Sequence, residues 1–294
     1  MSLPTLHSVI KKLNPFSGEI SSVLSLEDDP IERVSTLECN DELVIAGSLS
    51  GSYYVKNTET QELTKRVLTT NSNGIINFAK AIGDSVLFST NDSHLITTDL
   101  TSLKVKSDVE FPWAINSVSV DPQNQHLKLI VGDNINSFIL DDRVHRYKPV
   151  NILSGHKDFS FTCDWSHNGM TIATGNQDST MRLYDIRNLR KNTSCVNGEI
   201  ESSIRNVKFN YNDTVIAFSE SIDYVNILDL KSIDEGTGSK QVISLFGKVI
   251  GLDFTNYDDG NGELLTIGVC DDAIGGILQY ELESDFKCTD YDFL

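Results

Sequence analysis

A hydrophobic stretch that ends in an acidic or amide residue recurs down the chain. It appears as Tyr54-Val55-Lys56-Asn57, Ile96-Thr97-Thr98-Asp99, Phe138-Ile139-Leu140-Asp141, Arg182-Leu183-Tyr184-Asp185, Asn226-Ile227-Leu228-Asp229 and Ile277-Leu278-Gln279-Tyr280-Glu281. The terminal residues lie 42, 42, 44, 44 and 52 positions apart. An apolar, β-branched run precedes each stretch, for example Leu43-Val44-Ile45-Ala46-Gly47, Val86-Leu87-Phe88-Ser89 and Val215-Ile216-Ala217-Phe218. Asn, Asp, Gly and Ser separate the runs, which is the composition of strands joined by tight turns. A period of roughly 40–45 residues with four short strands corresponds to one blade of a β-propeller. A single unit of this kind cannot bury its apolar faces alone and must stack on its neighbours. The pattern therefore predicts an all-β propeller with six recognisable repeats, and leaves six and seven blades open.

The fourth repeat is the clearest. Phe161-Thr162-Cys163-Asp164-Trp165 alternates with period two, as an inner strand does. A turn at Ser166-His167-Asn168-Gly169 leads to Thr171-Ile172-Ala173-Thr174-Gly175, and a turn at Asn176-Gln177-Asp178-Ser179 leads to the strand ending at Asp185. A weaker fourth strand is expected around Ser194-Cys195-Val196. In three repeats a turn amide or acid stands seven residues before the beat, at Asp92, Asn134 and Asp178. Ile20 to Leu26 forms a lone apolar stretch that is expected to complete the last blade and close the ring, leaving no free sheet edge. Residues 1–18 are then a poorly ordered leader, 19–284 one propeller domain and 285–294 an acidic tail.

Charge narrows the classes of partner. The chain of 294 residues carries a net −18, and residues 251–294 hold eleven acids against one lysine, Lys287. An acidic surface repels phosphate backbones and anionic lipid, so neither direct nucleic-acid binding nor membrane binding is expected. It steers basic partners instead. Residues 1–16 do not read as a secretory signal, and no apolar run is long enough for a membrane helix. The five cysteines (Cys39, Cys163, Cys195, Cys270 and Cys288) are scattered and never in C-x-x-C spacing. That argues for a reducing compartment, the cytosol or nucleus, and against a zinc knuckle or disulfide framework. Cys163 and Cys270 are expected as small core residues.

Gly155-His156, followed by Thr174, Asp178 and Tyr184-Asp185, resembles a WD-repeat blade, with Tyr184 where that family usually has tryptophan. The resemblance implies a propeller in which His156 bridges Asp178 and Thr174, with Tyr184 beside them, as a structural polar chain. Such a chain is tolerated in a core only if it is fully hydrogen-bonded. The other repeats lack the Gly-His pair, so apolar packing alone is expected to hold them. A longer match over about residues 150–282, including Leu245-Phe246-Gly247-Lys248-Val249-Ile250-Gly251 and Gly275-Gly276-Ile277-Leu278-Gln279-Tyr280, resembles one WD-repeat subfamily of fungi and plants. Tyr184-Asp185-Ile186-Arg187 is also similar to the Trp-Asp-x-Arg box of cullin-4 ubiquitin-ligase receptors, which implies that Arg187 would face an adaptor.

Catalytic signatures are missing. The chain has no phosphate-binding glycine loop, no His-x-x-x-His metal pair and no Gly-x-Ser-x-Gly nucleophile elbow. It also lacks the paired arginines of phosphoinositide-binding propellers. Asp164 and Asp253, at equivalent places on first strands, are candidates for a channel, although a mid-strand acid more often caps a neighbouring backbone. Asp258-Asp259 and Asp271-Asp272 lack the regular spacing of a calcium loop and read as solvated turns. Neither a metal nor a cofactor is expected. The sequence points to a non-enzymatic interaction scaffold, monomeric by itself. Its candidate partner-binding residues are Asp185, Arg187, Asp258, Asp259, Asp271 and Asp272, and its partners are proteins or peptides with a basic surface. The alternatives are the ligase receptor and a propeller enzyme.

Overall fold

Antiparallel strands make up most of the protein in a computed structural model that describes residues 9–14, 17–26, 32–40, 42–144, 148–234, 240–257, 262–270, 275–282 and 288–289. The chain divides into two compact units, with the boundary between Asn116 and Ser117.

The first unit begins with β1 (Val9–Leu13) and β2 (Ile20–Ser25), which pair as an antiparallel hairpin. The first four-stranded module follows: β3 (Val34–Cys39), β4 (Leu43–Ser48), β5 (Ser52–Asn57) and β6 (Leu63–Val67), hydrogen-bonded in chain order. The second module is β7 (Ile76–Ile82), β8 (Ser85–Thr90), β9 (His94–Asp99) and β10 (Val105–Glu110), in the same order. Ile45 and Tyr53 of the first module pack against Ile76, Val86 and Phe88 of the second. The Tyr53 and Phe88 rings lie 4.7 Å apart, and the Tyr53 hydroxyl donates to the Leu103 carbonyl.

The second unit takes in most of β11 (Ile115–Val120), with β12 (Leu127–Gly132), β13 (Ser137–Asp141) and β14 (Pro149–Leu153). The next sheet is β15 (Ser160–Trp165), β16 (Thr171–Asn176), β17 (Thr180–Asp185) and β18 (Ser194–Asn197). A seven-stranded sheet completes it: β19 (Ile204–Phe209), β20 (Val215–Glu220), β21 (Ile222–Asp229), β22 (Lys240–Tyr257), β23 (Gly262–Cys270), β24 (Gly275–Leu282) and β25 (Cys288–Thr289), with the short α1 (Leu230–Asp234) after β21. The 18-residue β22 serves two modules. Its first residues pair with β21 (Leu228 with Lys240), and its later ones with β23 (Tyr257 with Gly262). The strand bends where Gly247 adopts φ +122°, a backbone region that favours glycine. The described strands thus form six four-stranded modules.

The beat has a local cause. In five of the six repeats the side-chain oxygen of the terminal residue accepts backbone N–H groups two or three positions on. Asn57 accepts from Glu59 and Thr60, Asp99 from Thr101 and Ser102, Asp141 from Arg143, Asp185 from Arg187, and Asp229 from Lys231. These are Asx turns that end the third strand of the first five modules. Second strands are buried almost end to end, whereas the outer strands β6, β10 and β14 are largely exposed.

Three expectations are corrected. Ile20–Ser25 does not complete the last module. It pairs with β1, and Leu24 and Leu26 pack on Ala46 and Tyr54 of the first module, while the place beside β24 is held by β25. Val9–Leu13, within the leader expected to be poorly ordered, is a strand; an apolar run this short does not distinguish turn, helix and strand. Cys163 is buried as expected, but Cys270, at the end of β23, is exposed. The tail at 285–294 lies outside the described residues apart from β25.

Candidate functional site

The polar bridge of the fourth module has the geometry its residues imply. His156 Nδ1 lies 3.1 Å from Asp178 Oδ2, and Nε2 lies 2.8 Å from Thr174 Oγ1. Burial lowers the His156 pKa below the ordinary value of 6.5, although Asp178 opposes the shift. The ring is therefore neutral: Nδ1–H donates to the carboxylate, and Nε2 accepts from the Thr174 hydroxyl. Asp178 also accepts from the Lys157 backbone N–H at 3.0 Å and from the Thr180 hydroxyl at 2.6 Å. Burial works to raise the Asp178 pKa, but these donors and His156 bring it below the usual carboxylate value. Tyr184 is buried, and its hydroxyl donates to the Ser154 carbonyl at 3.2 Å. The bonds of Ser154, His156 and Lys157 join the segment entering the module to its second and third strands and the turn between them, so the cluster is a clasp.

A pH prediction follows from the sign of the histidine shift. Between the lowered native pKa and 6.5, the unfolded chain binds a proton at His156 that the native state does not. Acidification through that window therefore favours unfolding. Urea melts from pH 7.5 to 5 should show wild-type stability falling more steeply than that of His156→Gln. Parallel curves would contradict a neutral buried imidazole.

Clasps of different chemistry hold other modules, against the expectation of apolar packing alone. In the first, buried Glu32 accepts from the Ser50 hydroxyl at 2.8 Å and pairs with Lys65 at 2.9 Å. Burial raises the Glu32 pKa, but Lys65, Ser50 and Ser48 outweigh it and bring it to about 2. In the second, the Thr69 hydroxyl donates to Asp92 at 2.8 Å. In the fifth, fully buried Glu220 accepts from the backbone N–H groups of Glu199 (2.6 Å) and Ile200 (3.0 Å) and from Asn226 Nδ2 (3.0 Å). A carboxyl closing an otherwise apolar second strand was the available sequence signal for Glu220.

The candidate channel acids do other work. Asp164 accepts the Phe209 backbone N–H at 2.9 Å and so ties β15 to β19, the capping role. Asp253 is exposed on β22, opposite Thr266. Asp185 and Arg187 form a fork within one turn: Arg187 Nε lies 2.9 Å from Asp185 Oδ1, and Nη2 lies 2.5 Å from Oδ2. Arg187 holds the Asp185 pKa at about 2. The arginine that the ligase-box resemblance aims at an adaptor is thus folded back on its own aspartate. Asp258, Asp259, Asp271 and Asp272 lie outside the described residues. Among the described residues no group of three or more His, Cys, Asp or Glu is placed to hold a metal, and no helix is long and apolar enough to cross a membrane.

One surface feature stands out in the second unit. Phe246, on the bend of β22, is 94% exposed, and Ile250 is 68% exposed. Ile222, at 39% exposure, pairs with Lys248 between them. The bend is fixed, because the Gly247 N–H donates to Asp223 Oδ1 at 2.9 Å. No sequence signal singles out Phe246, since an apolar residue in an apolar strand is indistinguishable from core.

Comparison with known proteins gives the class. The family model described as WD domain, G-beta repeat matches residues 147–185, the span that contains the His156 clasp. Over 130 residues, 42% of this chain, it is 27% identical to Actin-interacting protein 1 of Drosophila melanogaster. Over 110 residues, 34% of the chain, it is 26% identical to Histone acetyltransferase type B subunit 2 of Gibberella zeae. These matches span only 20% and 25% of the length of those two relatives. A chain in the crystal structure of the Mitotic Checkpoint Complex has the same fold, with TM-score 0.67 over 89% of each chain at 13% identity. The chain has a WD40-type β-propeller fold, and its fourth module matches the WD-repeat model. WD40 propellers are generally protein-interaction scaffolds and typically non-enzymatic.

Proposed function

We propose that this chain is a non-enzymatic interaction scaffold of the cytosol or nucleus that holds a partner protein on the Ile222–Phe246–Ile250 surface. The observation that carries the reading is Phe246, a large aromatic ring 94% exposed on a bend locked by Asp223 and Gly247. Aromatic side chains held rigidly at a surface are the usual anchors of protein interfaces, because little side-chain entropy is lost on docking. The segment that follows, residues 251–294, carries a net −10, so the partner offers an apolar pocket with a basic rim. In this reading Asp258, Asp259, Asp271 and Asp272 supply part of that field.

Burying a phenylalanine side chain contributes about 1.5–3 kcal/mol. Phe246→Ala should therefore weaken partner binding by about 10- to 100-fold and leave the melting temperature unchanged. Quantitative affinity capture with wild type and the variant side by side tests this. Equal recovery of every partner by both proteins would contradict the proposal.

A further inference from the structure

The outer strands of the four-stranded sheets differ in how they are protected. Strand β6 carries Lys65 and Arg66, and β10 carries Lys106, Asp108 and Glu110. Charges on an edge discourage pairing with another chain. Strand β18 is uncharged but only four residues long. Strand β14, Pro-Val-Asn-Ile-Leu, carries no charge and shows solvent two aliphatic side chains, Val150 at 43% exposure and Ile152 at 55%. It pairs with β13 on one side, and among the described residues no strand lies on the other.

A cleft of about 320 Å³ adjoins this strand, lined by Asn151 and Ile152 of β14 and by Arg187, Asn188, Leu189 and Arg190 from the turn after β17. Its charge opposes that of the molecule. Residues 143–191 hold eight lysines and arginines against four acids, whereas the whole chain is −18. Those four acids are engaged: Asp158 by the Phe159 N–H, Asp164 by the Phe209 N–H, Asp178 by His156 and Asp185 by Arg187. Arg187, Arg190, Lys191 and Lys148 are exposed. The turn after β17 lies at the opposite end of the strands from the connection that carries Phe246.

From this cleft we infer a second docking site, which takes an acidic, extended peptide segment that adds as a strand to the free edge of β14 with its carboxylates on Arg187 and Arg190. The inference rests on the scaffold reading and names a class of partner for it. Strand addition supplies affinity through main-chain hydrogen bonds and specificity through alternate side chains. Pro149 has no N–H, so the added strand runs alongside residues 150–153. Alternate aliphatic side chains of the segment meet Val150 and Ile152. Arg187 keeps donors beyond those that Asp185 occupies, and Arg190 forms no ion pair among the described residues.

The test uses the full chain and a fluorescein-labelled probe of four Val-Glu repeats, read by fluorescence anisotropy. Saturable binding is expected. It should weaken at least tenfold in the double variant Arg187→Ala, Arg190→Ala, weaken similarly when the probe's backbone nitrogens are N-methylated, and fall with added salt. Retained fold is checked by circular dichroism, and a second double variant, Arg187→Lys with Arg190→Lys, should keep most of the affinity. Equal binding to the alanine variant, equal binding of a Val-Lys probe, or undiminished binding of the N-methylated probe would each overturn the assignment. If no probe binds while Phe246-dependent capture persists, the second site falls and the scaffold reading stands.

Discussion

Replacing Glu220 by alanine is expected to destabilise the protein by about 3–5 kcal/mol, because each donor left without its acceptor costs about 1–3 kcal/mol and the cavity adds to it. The side chain is fully buried, and its two carboxyl oxygens accept two backbone N–H groups, of Glu199 and Ile200, together with the amide of Asn226. In Glu220→Ala the buried Asn226 amide and the two partly buried backbone N–H groups lose their acceptor, and a cavity opens beside them. Because Glu199 and Ile200 lie in the segment leading to β19, the loss frees the entry to the fifth module. Glu220→Gln keeps one acceptor oxygen but turns an NH2 group toward the remaining donors, and should fall between, at about 2 kcal/mol. Urea denaturation followed by circular dichroism ranks the three proteins. An alanine variant within about 1 kcal/mol of wild type would show that the clasp is incidental.

Gly175→Val should cost about 3 kcal/mol by overpacking a seam between modules. Gly175 stands opposite Thr162, just past the bulge at the start of β15. A Cβ there would lie 2.6 Å from both Thr162 Cγ2 and Ile204 Cγ2, and Ile204 belongs to the next module. Both neighbours are β-branched, so neither can swing aside without leaving its rotamer. The first module repeats the arrangement, with a Cβ on Gly47 meeting Thr36 and Ile76 at 2.7 Å. Ser89, Ser219 and Gly268 hold the corresponding place opposite Phe78, Asn206 and Gly251. Small residues at this register position let one module lie close against the next. Thermal melts of Gly175→Val and of Gly276→Val provide the contrast, because Gly276 has open space around it and no positive φ. Equal melting temperatures for the two variants would remove the packing argument.

The repeat was legible because its mark is a local hydrogen bond. An Asx turn demands Asp or Asn at a fixed place at the end of the third strand, whatever surrounds it, and Asn57, Asp99, Asp141, Asp185 and Asp229 meet that demand in the first five modules. The clasps were legible only in the fourth module, where Gly155-His156 resembles a known blade. Elsewhere a tertiary function is met by unrelated residue types. Glu32 joins from the entering segment, Asp92 reaches back to Thr69, and Glu220 stands two places further from its beat than Asp178 does from its own. The pairing of β2 was misjudged because its alternating apolar residues specify a buried face without saying which module covers it. The exposed surfaces were not legible at all. Phe246 and the pair Val150 and Ile152 follow strand patterns, and only the fold shows that nothing covers them.

The central claim is that a partner protein seats on the face that Phe246 presents. Photo-crosslinking from that position tests it most directly. Benzoylphenylalanine placed at 246 should yield a discrete crosslinked protein in cell extract, while the same amino acid at Tyr211, which is 46% exposed, should not yield that product. Indistinguishable products from both positions, or none from 246 under conditions that crosslink a known interface, would contradict the account.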